Sequence, residues 1–189
     1  EGVVVRQSRR GEVLTLLDGV EVKLSPGTLV IANDKVPIGL AGIMGGQQSG
    51  VTRQTESIFL EAAYFRPEII GTRAREYGLQ TDASYRFERG VDPRQQRRAV
   101  LRASELLIDI CGGQLGPISE VVSSKCLPKK RIIVLNQKRL NDILGTPIHA
   151  AQIRKILSNL DLRPKRLGHG WRVQAPSYRF DIEGEHDLI

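Results

Sequence analysis

The apolar and polar positions change their pattern along the chain. Residues 3–65 hold short extended runs rich in Val, Ile, Leu and Phe, which predict β-strands at VVVRQ, EVLTLL, VEVKL, TLVIA and SIFLEAAYF. Asp18-Gly19 lies between two of these runs and predicts a hairpin with a two-residue turn. Residues 35–50 differ because five of these sixteen positions are glycine, so the backbone there can bend sharply or approach a ligand closely.

Helical spacing appears in the middle of the chain. Pro67 predicts a helix over 67–78, since proline is tolerated in a first helical turn. Asp92-Pro93 predicts the start of another helix, capped by Asp92 and ended by Gly112-Gly113. Cys111 is predicted to pack at its end. The predicted apolar stripe is Ala99, Ala103, Leu106, Leu107 and Ile110, and the arginines predicted to face outward are Arg94, Arg97, Arg98 and Arg102.

The last third of the chain has a pattern of its own. Residues 114–131 are either a linker or a returning strand, after which Asn136 is predicted to cap a short helix that Gly145 ends. A second helix is predicted around 149–159, followed by two extended pieces about a glycine turn. Two helices followed by a β-hairpin resemble a winged-helix unit, which often binds DNA, although a fold does not fix a function. The predicted fold class is therefore α+β, with a β-rich mixed portion followed by a small winged-helix-like domain.

Composition excludes several classes of protein. The chain has 189 residues, of which 40% are hydrophobic and 26% charged, values that argue against disorder, collagen and a disulfide scaffold. No stretch approaches the roughly 20 apolar residues of a membrane helix, and the first residues lack the apolar core of a signal peptide. Cys111 and Cys126 form no CxxC motif and have no histidine at metal spacing, which favours two reduced cytosolic thiols.

The net charge of +7 is concentrated near the C-terminus. Residues 1–120 hold 15 basic and 15 acidic side chains, whereas residues 121–189 hold 13 and 6. Six bases and no acid occur between Lys125 and Arg139, a run that is either a solvated linker or a contact for a polyanion such as nucleic acid. A second basic stretch, from Arg73 to Arg102, has eight arginines against four acids.

Residues 41–92 contain the candidate chemistry. This segment lacks GxGxxG, a Walker lysine and a GxSxG motif, and the three histidines of the chain lie far from it. What remains is the glycine corner AGIMGG (41–46), Glu61 within an apolar run, and a polar turn from Thr81 to Ser84. Glu61 either faces solvent or receives a ligand's ammonium group in a pocket where Thr81 supplies a hydroxyl.

Several motifs together resemble a known family. LTLLDG, AGIMGG with SGVT, FLEAAYF and GLQTDASYRFERGVDP resemble, in order, the editing domain of bacterial phenylalanyl-tRNA synthetase beta subunits. LNQKRLNDILGTPI, WRVQAPSYRFDI and EHDLI are similar to the domain that follows it in that family. The resemblance implies a C-terminal part of the editing domain at 1–120, a linker at 121–130 and a winged-helix-like domain at 131–189. It also implies that both ends are cut, that the upstream half of the pocket is missing, and that the isolated piece is inactive.

The resemblance implies a hydrolytic activity. Editing domains of this family hydrolyse tyrosine misattached to phenylalanine tRNA, because a second pocket can recognise the hydroxyl that distinguishes tyrosine from phenylalanine. By resemblance, Glu61 orients the misattached tyrosine, Thr81 and Ala83 line the pocket, and Gly45 leaves room for the ligand. No residue is a certain catalytic nucleophile, so a positioned water is the expected attacking group.

The resemblance also implies cofactors and partners. Asp181 and Asp187 would form part of a Mg²⁺ site near the alpha subunit, completed by two glutamates further downstream; the alternative is a solvated acidic turn. The intact enzyme would be a cytoplasmic phenylalanine–tRNA ligase of two alpha and two beta chains, with no membrane association. ATP would be its substrate but would not bind to these residues. The competing interpretations are a stand-alone winged-helix protein that binds nucleic acid and a purely structural interaction module.

Overall fold

The computed structural model describes residues 2–189 and divides the chain into two compact units. One unit comprises the chain up to Val91 together with Gln96–Ser119, and the other comprises Asp92–Gln95 with Glu120–Ile189. We call them the N-terminal unit and the C-terminal unit. Both contain helices and antiparallel strands, so the predicted α+β class is confirmed.

The N-terminal unit begins with an antiparallel sheet and a hairpin. Its strands are β1 (Val4–Gln7), β2 (Val13–Thr15), β3 (Glu21–Lys23), β4 (Leu29–Ala32), β5 (Pro37–Leu40) and β6 (Met44–Gly45). The sheet has the order β1-β4-β5-β6, whereas β2 pairs with β3. Strand β5 arises inside the glycine-rich segment, where Gly39 lies opposite Gly45 in the register.

The predicted hairpin is confirmed, but its turn has a different length. The Gly19 N–H donates to the Leu16 carbonyl at 2.9 Å, and the Leu16 N–H donates to the Val20 carbonyl at 2.9 Å. The loop is therefore Leu17-Asp18-Gly19, with Gly19 at φ +85°. The prediction of a two-residue turn was wrong, because Asp18 lies in the turn and Gly19 provides the left-handed residue of a three-residue loop.

The predicted strand at SIFLEAAYF (57–65) is absent from the structure. Residues 56–66 have no strand pairing, and Phe59 is 70% exposed. The Gln96 side chain donates to the Ala63 carbonyl at 3.3 Å, which is an isolated side-chain contact and not a ladder. An apolar run becomes a strand only when a neighbouring strand accepts its hydrogen bonds, and none of residues 2–189 does so here.

Three helices follow in this unit: α1 (Pro67–Glu76), α2 (Asp82–Arg89) and α3 (Gln96–Cys111). Proline at the start of α1 confirms the helix predicted there. Helix α2 replaces the predicted polar turn. It forms because Thr81 caps it reciprocally with Ser84: the Ser84 N–H donates to Thr81 Oγ1 at 3.0 Å, and the Thr81 N–H donates to Ser84 Oγ at 2.9 Å.

Helix α3 begins at Gln96, three residues after Pro93, where the predicted cap at Asp92 would have started it. The Asp92 carboxylate accepts from the Arg94 N–H at 3.0 Å, so this side chain stabilises a turn instead of capping the helix. The outward position of the predicted arginines is confirmed. The apolar stripe, however, is mostly exposed, with Ile110 at 77%, and Ser104 is the residue that α3 buries. The prediction that Cys111 packs at the helix end was wrong, because it is an exposed free thiol, as is Cys126.

The C-terminal unit confirms most of the local predictions made for it. Its elements are β7 (Ile132–Asn136), α4 (Gln137–Leu144), α5 (Ala150–Asn159), β8 (Lys165–Leu167), β9 (Gly170–Gln174) and α6 (Glu185–Leu188), and its sheet has the order β7-β9-β8. Asn136 caps α4 by accepting from two backbone N–H groups, and Gly145 ends it at φ +68°. A short 3₁₀ turn, Ser124–Cys126, precedes β7, and none of residues 114–131 forms a strand.

Each unit has its own hydrophobic core. The N-terminal core surrounds Leu16, Val30 and Ile70, all at most 1% exposed. The C-terminal core surrounds Leu135, Trp171 and Val173, which are equally buried. In each unit the core therefore lies between a sheet and the helices that pack on it.

Candidate functional site

The glycine corner Ala41–Gly46 follows β5 and includes β6, and it has two positions where the fold itself requires glycine. Gly42 has φ +67°, and a Cβ there would lie 2.9 Å from the Phe65 ring. A Cβ on Gly46 would lie 2.6 Å from the Ile38 carbonyl oxygen. A Cβ on Gly45 would meet only the flexible end of Leu17, at 3.2 Å. Gly45 is also exposed, so its missing side chain leaves space on the outer side of the corner.

Thr81 connects this corner to α2. Its hydroxyl donates to the Ile43 carbonyl at 2.6 Å and accepts from the Ser84 N–H at 3.0 Å. The hydroxyl proton is therefore already used, and only a remaining lone pair is free for a ligand. Both hydrogen-bond partners of the Thr81 hydroxyl are backbone groups, so within residues 2–189 no side-chain base accepts its proton.

Ala83 lies in the first turn of α2, two residues after Thr81, and is half-buried. The structure thus brings Thr81 and Ala83 to the helix end that is bonded to Ile43, which is itself two residues from Gly45. Three of the four predicted pocket residues accordingly share one region of the N-terminal unit. A larger side chain at Ala83 would add volume beside the first turn of α2 in this region.

Glu61 occupies the extended segment that precedes α1. The residue is exposed as a whole, but neighbouring protein atoms desolvate its carboxyl group and raise its pKa. Desolvation is the sole cause of this shift, so within residues 2–189 neither a basic group nor a hydrogen-bond donor compensates it. No hydrogen bond or ion pair joins Glu61 to Gly45, Thr81 or Ala83 in the described chain.

Asp181 and Asp187, the predicted magnesium ligands, lie in the last turns of the C-terminal unit. Arg179 holds both oxygens of Asp181 at 2.8 Å, and this hydrogen bonding lowers the pKa of Asp181. Asp187 Oδ2 accepts from the N–H groups of Glu183 and Gly184 at 2.8 and 2.9 Å, and these bonds lower its pKa. Within residues 2–189, no group of three His, Cys, Asp or Glu side chains could hold a metal ion.

The basic run Lys125–Arg139 is partly neutralised by the acidic C-terminal segment. Arg131 pairs with Glu183 at 2.6 Å, and Arg139 pairs with Glu185 at 3.3 Å. Glu185 is further fixed because its other oxygen accepts from the Asn136 N–H at 2.8 Å. Arg131, just before β7, therefore contacts the segment that precedes α6, and Arg139 joins α4 to the start of α6. The lysines of the run remain exposed.

A basic cleft between α5 and β8 was not predicted from the sequence. It has a volume of about 520 Å³ and is lined by Ala150, Ala151, Arg154, Pro164, Lys165, Arg166 and Trp171. The Arg166 guanidinium lies 4.4 Å from the centre of the Trp171 ring. The hairpin register pairs Arg166 with Trp171. The positions of these two residues on either side of the glycine turn were the one signal in the sequence from which their contact could have been predicted.

Comparison with protein families assigns the N-terminal part of the chain. Residues 1–112 match the family model of the B3/4 domain. The chain belongs to the B3/4 domain family. Residues 133–189 match the family model of the tRNA synthetase B5 domain.

Full-length relatives extend this assignment to the whole chain. The chain is 48% identical over 188 residues to the phenylalanine–tRNA ligase beta subunit of Nitrosococcus oceani. It is 47% identical to the subunits of the same name from Yersinia pestis and Hahella chejuensis. Each alignment covers the whole of this chain and 24% of the relative's length. The chain therefore spans about a quarter of the length of these proteins. The resemblance inferred from the motifs is confirmed.

The two family matches separate the candidate sites. The B3/4 match ends directly after α3 and contains Gly45, Glu61, Thr81 and Ala83. The B5 match begins within β7 and contains the basic cleft and both aspartates.

Within residues 2–189, no helix is long and apolar enough to cross a bilayer.

Proposed function

We propose that the B3/4 domain of this chain contributes to a site that hydrolyses tyrosine misattached to phenylalanine tRNA, as part of a phenylalanine–tRNA ligase beta subunit. The names of the relatives support the ligase. The observation that carries the site is the Thr81–Ile43 hydrogen bond, which keeps the first turn of α2 beside the glycine corner. In this proposal, residues 1–120 belong to the editing domain and 121–130 to a linker, and 131–189 form the following domain, with an alpha subunit and tRNA as partners.

The side-chain chemistry suits recognition of the substrate more than nucleophilic attack. Glu61 has a desolvated carboxyl group without a partner in the described chain, so a ligand's ammonium or phenol hydroxyl would satisfy it. Thr81 can only accept from the ligand, because its proton is donated to Ile43. A bound water would attack the ester carbonyl, the ribose oxygen would leave with a proton, and free tyrosine and tRNA would result.

Replacing Ala83 with Trp in the complete ligase tests this proposal. The indole should fill the pocket and abolish hydrolysis of tyrosyl-tRNA, whereas phenylalanine charging should survive. Deacylation of purified tyrosyl-tRNA and charging with phenylalanine are measured on the same preparation. Ala99→Trp, on the exposed part of α3, is the matched control and should edit normally. Clearance of tyrosyl-tRNA by Ala83→Trp at the parent rate would show that the pocket lies elsewhere.

The basic cleft favours a second function, the binding of nucleic acid by the C-terminal unit. Arg154, Lys165 and Arg166 line one cleft, and an Arg–Trp pair forms its wall. Binding should weaken steeply with salt, since each phosphate contact releases counterions. Replacing Arg154 and Lys165 with Gln should lower the affinity for nucleic acid. It should also reduce the slope of log Kd against log salt by the amount expected for about one to two phosphate contacts.

The basic run provides the comparison for that experiment. Reversing Lys129, Lys130 and Arg131 tests whether the run also binds, although Arg131 is already paired with Glu183. Equal salt slopes for the cleft variant and the parent would refute binding at the cleft. An effect confined to the reversed lysines would move the binding surface to the linker.

Magnesium and ATP belong to the proposed intact ligase, and no step here depends on them. Asp181 and Asp187 supply two carboxylates, one paired with Arg179 and the other bonded to backbone N–H groups. Two such groups are an incomplete set for the near-octahedral oxygen coordination of Mg²⁺. The described residues alone therefore do not form a complete Mg²⁺ site, and the role of the two aspartates as ligands stays a prediction.

A further inference from the structure

The loop of the β2–β3 hairpin is bonded to the glycine corner. The Leu17 N–H donates to the Gly45 carbonyl at 3.1 Å, and the adjacent pair, Leu16 and Gly46, forms an isolated antiparallel bridge. Leu16 is completely buried, so the hairpin is anchored in the core at this point. The backbone of Leu17 is therefore fixed beside Gly45, one of the residues proposed for the pocket.

The side chain of Leu17 lies next to the space that two glycines leave open. Its Cδ1 is 3.2 Å from the position of a Cβ on Gly45, and its Cδ2 is 3.1 Å from that of a Cβ on Gly50. Leu17 is nevertheless 55% exposed, so the described chain covers its isobutyl group only in part. Leu17 thus presents an uncovered apolar surface directly at Gly45.

The turn that follows the glycine corner holds the other side of this space. Ser49 Oγ lies 2.8 Å from the Ile38 carbonyl oxygen and 3.1 Å from that of Gly46, and the Gly50 N–H donates to the Gln47 carbonyl at 3.2 Å. The surroundings of Leu17 are therefore fixed by hydrogen bonds. Its exposed isobutyl group, in contrast, can adapt to a ligand by changing rotamer.

This apolar surface is close to the hydrogen bond that carries the proposed site. Gly45 is two residues from Ile43, whose carbonyl accepts the Thr81 proton at 2.6 Å. Two residues of extended chain span at most about 7 Å. A tyrosyl side chain has a comparable length, so this spacing allows one bound aminoacyl group to contact both Thr81 and Leu17. Ligand pockets commonly combine apolar walls with a few polar groups of this kind.

We propose that Leu17 is a specificity-determining residue of the hydrolytic site, because its isobutyl group forms the apolar wall at Gly45 against which the side chain of the bound amino acid packs. This inference rests on the proposed function, from which it takes the aminoacyl substrate. It adds a residue from a separate hairpin to the site and assigns to it a limit on the size of the amino acid that is hydrolysed. Leu17 acts by contact alone, and no bond forms or breaks at it.

Comparing two amino acids of different size in the complete ligase tests this role. The substrates are phenylalanine tRNA carrying tyrosine and the same tRNA carrying the bulkier O-methyltyrosine. Leu17→Ala should raise the ratio of kcat/KM for O-methyltyrosine to that for tyrosine about tenfold, as expected when carbons are removed from an apolar pocket. The loss for tyrosine should appear in KM and not in kcat, because the wall contacts the bound ground state as well as the transition state.

Two further variants separate contact with the ligand from a structural role. Leu17→Met keeps an apolar side chain of similar volume and should retain the parent ratio. Val20→Ala is the matched control, since Val20 belongs to the same hairpin and is 52% exposed, but none of its atoms lies within 4 Å of a Cβ on Gly45. It should change neither the ratio nor KM. Thermal unfolding of every variant measures any effect on the fold.

A double-mutant cycle tests whether Leu17 and Gly45 border the same space. Gly45→Ala adds a methyl group on the side of Leu17 and should discriminate further against O-methyltyrosine. Adding Leu17→Ala to this variant should restore most of the lost activity, so the two effects should not be additive. Additive effects would place the two residues at separate spaces and would overturn the inference.

The outcomes distinguish this inference from the editing proposal. An unchanged ratio and KM in Leu17→Ala, together with loss of hydrolysis in Ala83→Trp, would overturn the role of Leu17 and leave the editing site standing. A lower melting temperature of Leu17→Ala with an unchanged ratio would also overturn it, since the contact would then be structural only. A changed ratio in Leu17→Ala, together with normal hydrolysis by Ala83→Trp, would support the wall at Leu17 and overturn the pocket at Ala83.

Discussion

The closed core of the C-terminal unit contrasts with two parts of the N-terminal unit, the extended segment before α1 and helix α3, which leave apolar side chains exposed. In the C-terminal unit, Trp171 and Leu135 lie at the centre of a closed core with exposures of at most 1%. In the N-terminal unit, Phe59 and Ile110 remain 70% and 77% exposed. Outside its core, the C-terminal unit also exposes apolar side chains, such as Val121 at 98% and Ile143 at 57%. The comparison teaches that apolar periodicity predicts burial only where a partner surface lies within reach.

The largest expected effect sharpens this contrast in stability. Trp171→Ala should lower the free energy of unfolding of the C-terminal unit by about 3–5 kcal/mol, because a large buried ring leaves a cavity. Phe59→Ala, an aromatic truncation at an exposed position, should cost less than about 0.5 kcal/mol. Denaturant unfolding followed by circular dichroism measures both, and hydrogen exchange assigns each loss to a unit. Equal costs would mean that Phe59 is buried in solution.

A smaller effect distinguishes two adjacent glycines of the corner. Gly46→Ala should destabilise the N-terminal unit by about 1–3 kcal/mol, because its Cβ would lie 2.6 Å from a backbone oxygen. Gly45→Ala should be nearly neutral for stability, since only the flexible Leu17 side chain must move. If Gly45→Ala nevertheless slows hydrolysis of tyrosyl-tRNA by the complete ligase, its glycine serves the ligand. Comparable melting temperatures for the two variants would contradict the steric argument.

The smallest effect concerns Glu61 and has a defined sign. Desolvation raises its pKa in the folded state, so ionisation costs stability as the pH rises above the ordinary glutamate value of 4.5. Glu61→Gln stays neutral and should therefore be more stable than the parent at pH 7, with the gain vanishing below about pH 4. Thermal unfolding across this range measures the difference.

Glu56→Gln is the matched control for that measurement. It removes a negative charge from the same exposed segment. A gain of equal size in Glu56→Gln would assign the effect to net charge instead of to desolvation of Glu61.

Several predictions of single helix-end residues were accurate, whereas the two-residue turn at Asp18-Gly19 and the Asp92 cap were wrong. Asn136 caps α4, Gly145 ends it in a left-handed conformation, and Pro67 opens α1. Each of these effects acts over a few residues, so the sequence contains all that is required. The reciprocal Thr81–Ser84 cap has the same local character, but it departs from the usual capping box, which has Glu or Gln at its last position.

The candidate site was predictable only in part. The glycine corner, Glu61 and the polar turn could be selected from residue types, and their roles came from the resemblance to a family. That Thr81 donates its proton to Ile43 was not predictable, because the two residues lie 38 positions apart. The α5–β8 cleft was missed for a similar reason, since its basic side chains converge only after the hairpin places Arg166 on Trp171.

Residue types and their spacing were enough to predict several helix ends, the family of the chain, and the concentration of positive charge in its last third. Folding establishes which apolar runs are buried, since SIFLEAAYF pairs with no strand in the described chain and the apolar stripe of α3 is mostly exposed. It also decided that Arg131 and Arg139 pair with acids, whereas Arg154 and Lys165 line a cleft. The physical reason is range: caps and turns act between near neighbours, but pairing and burial depend on groups that only folding brings together.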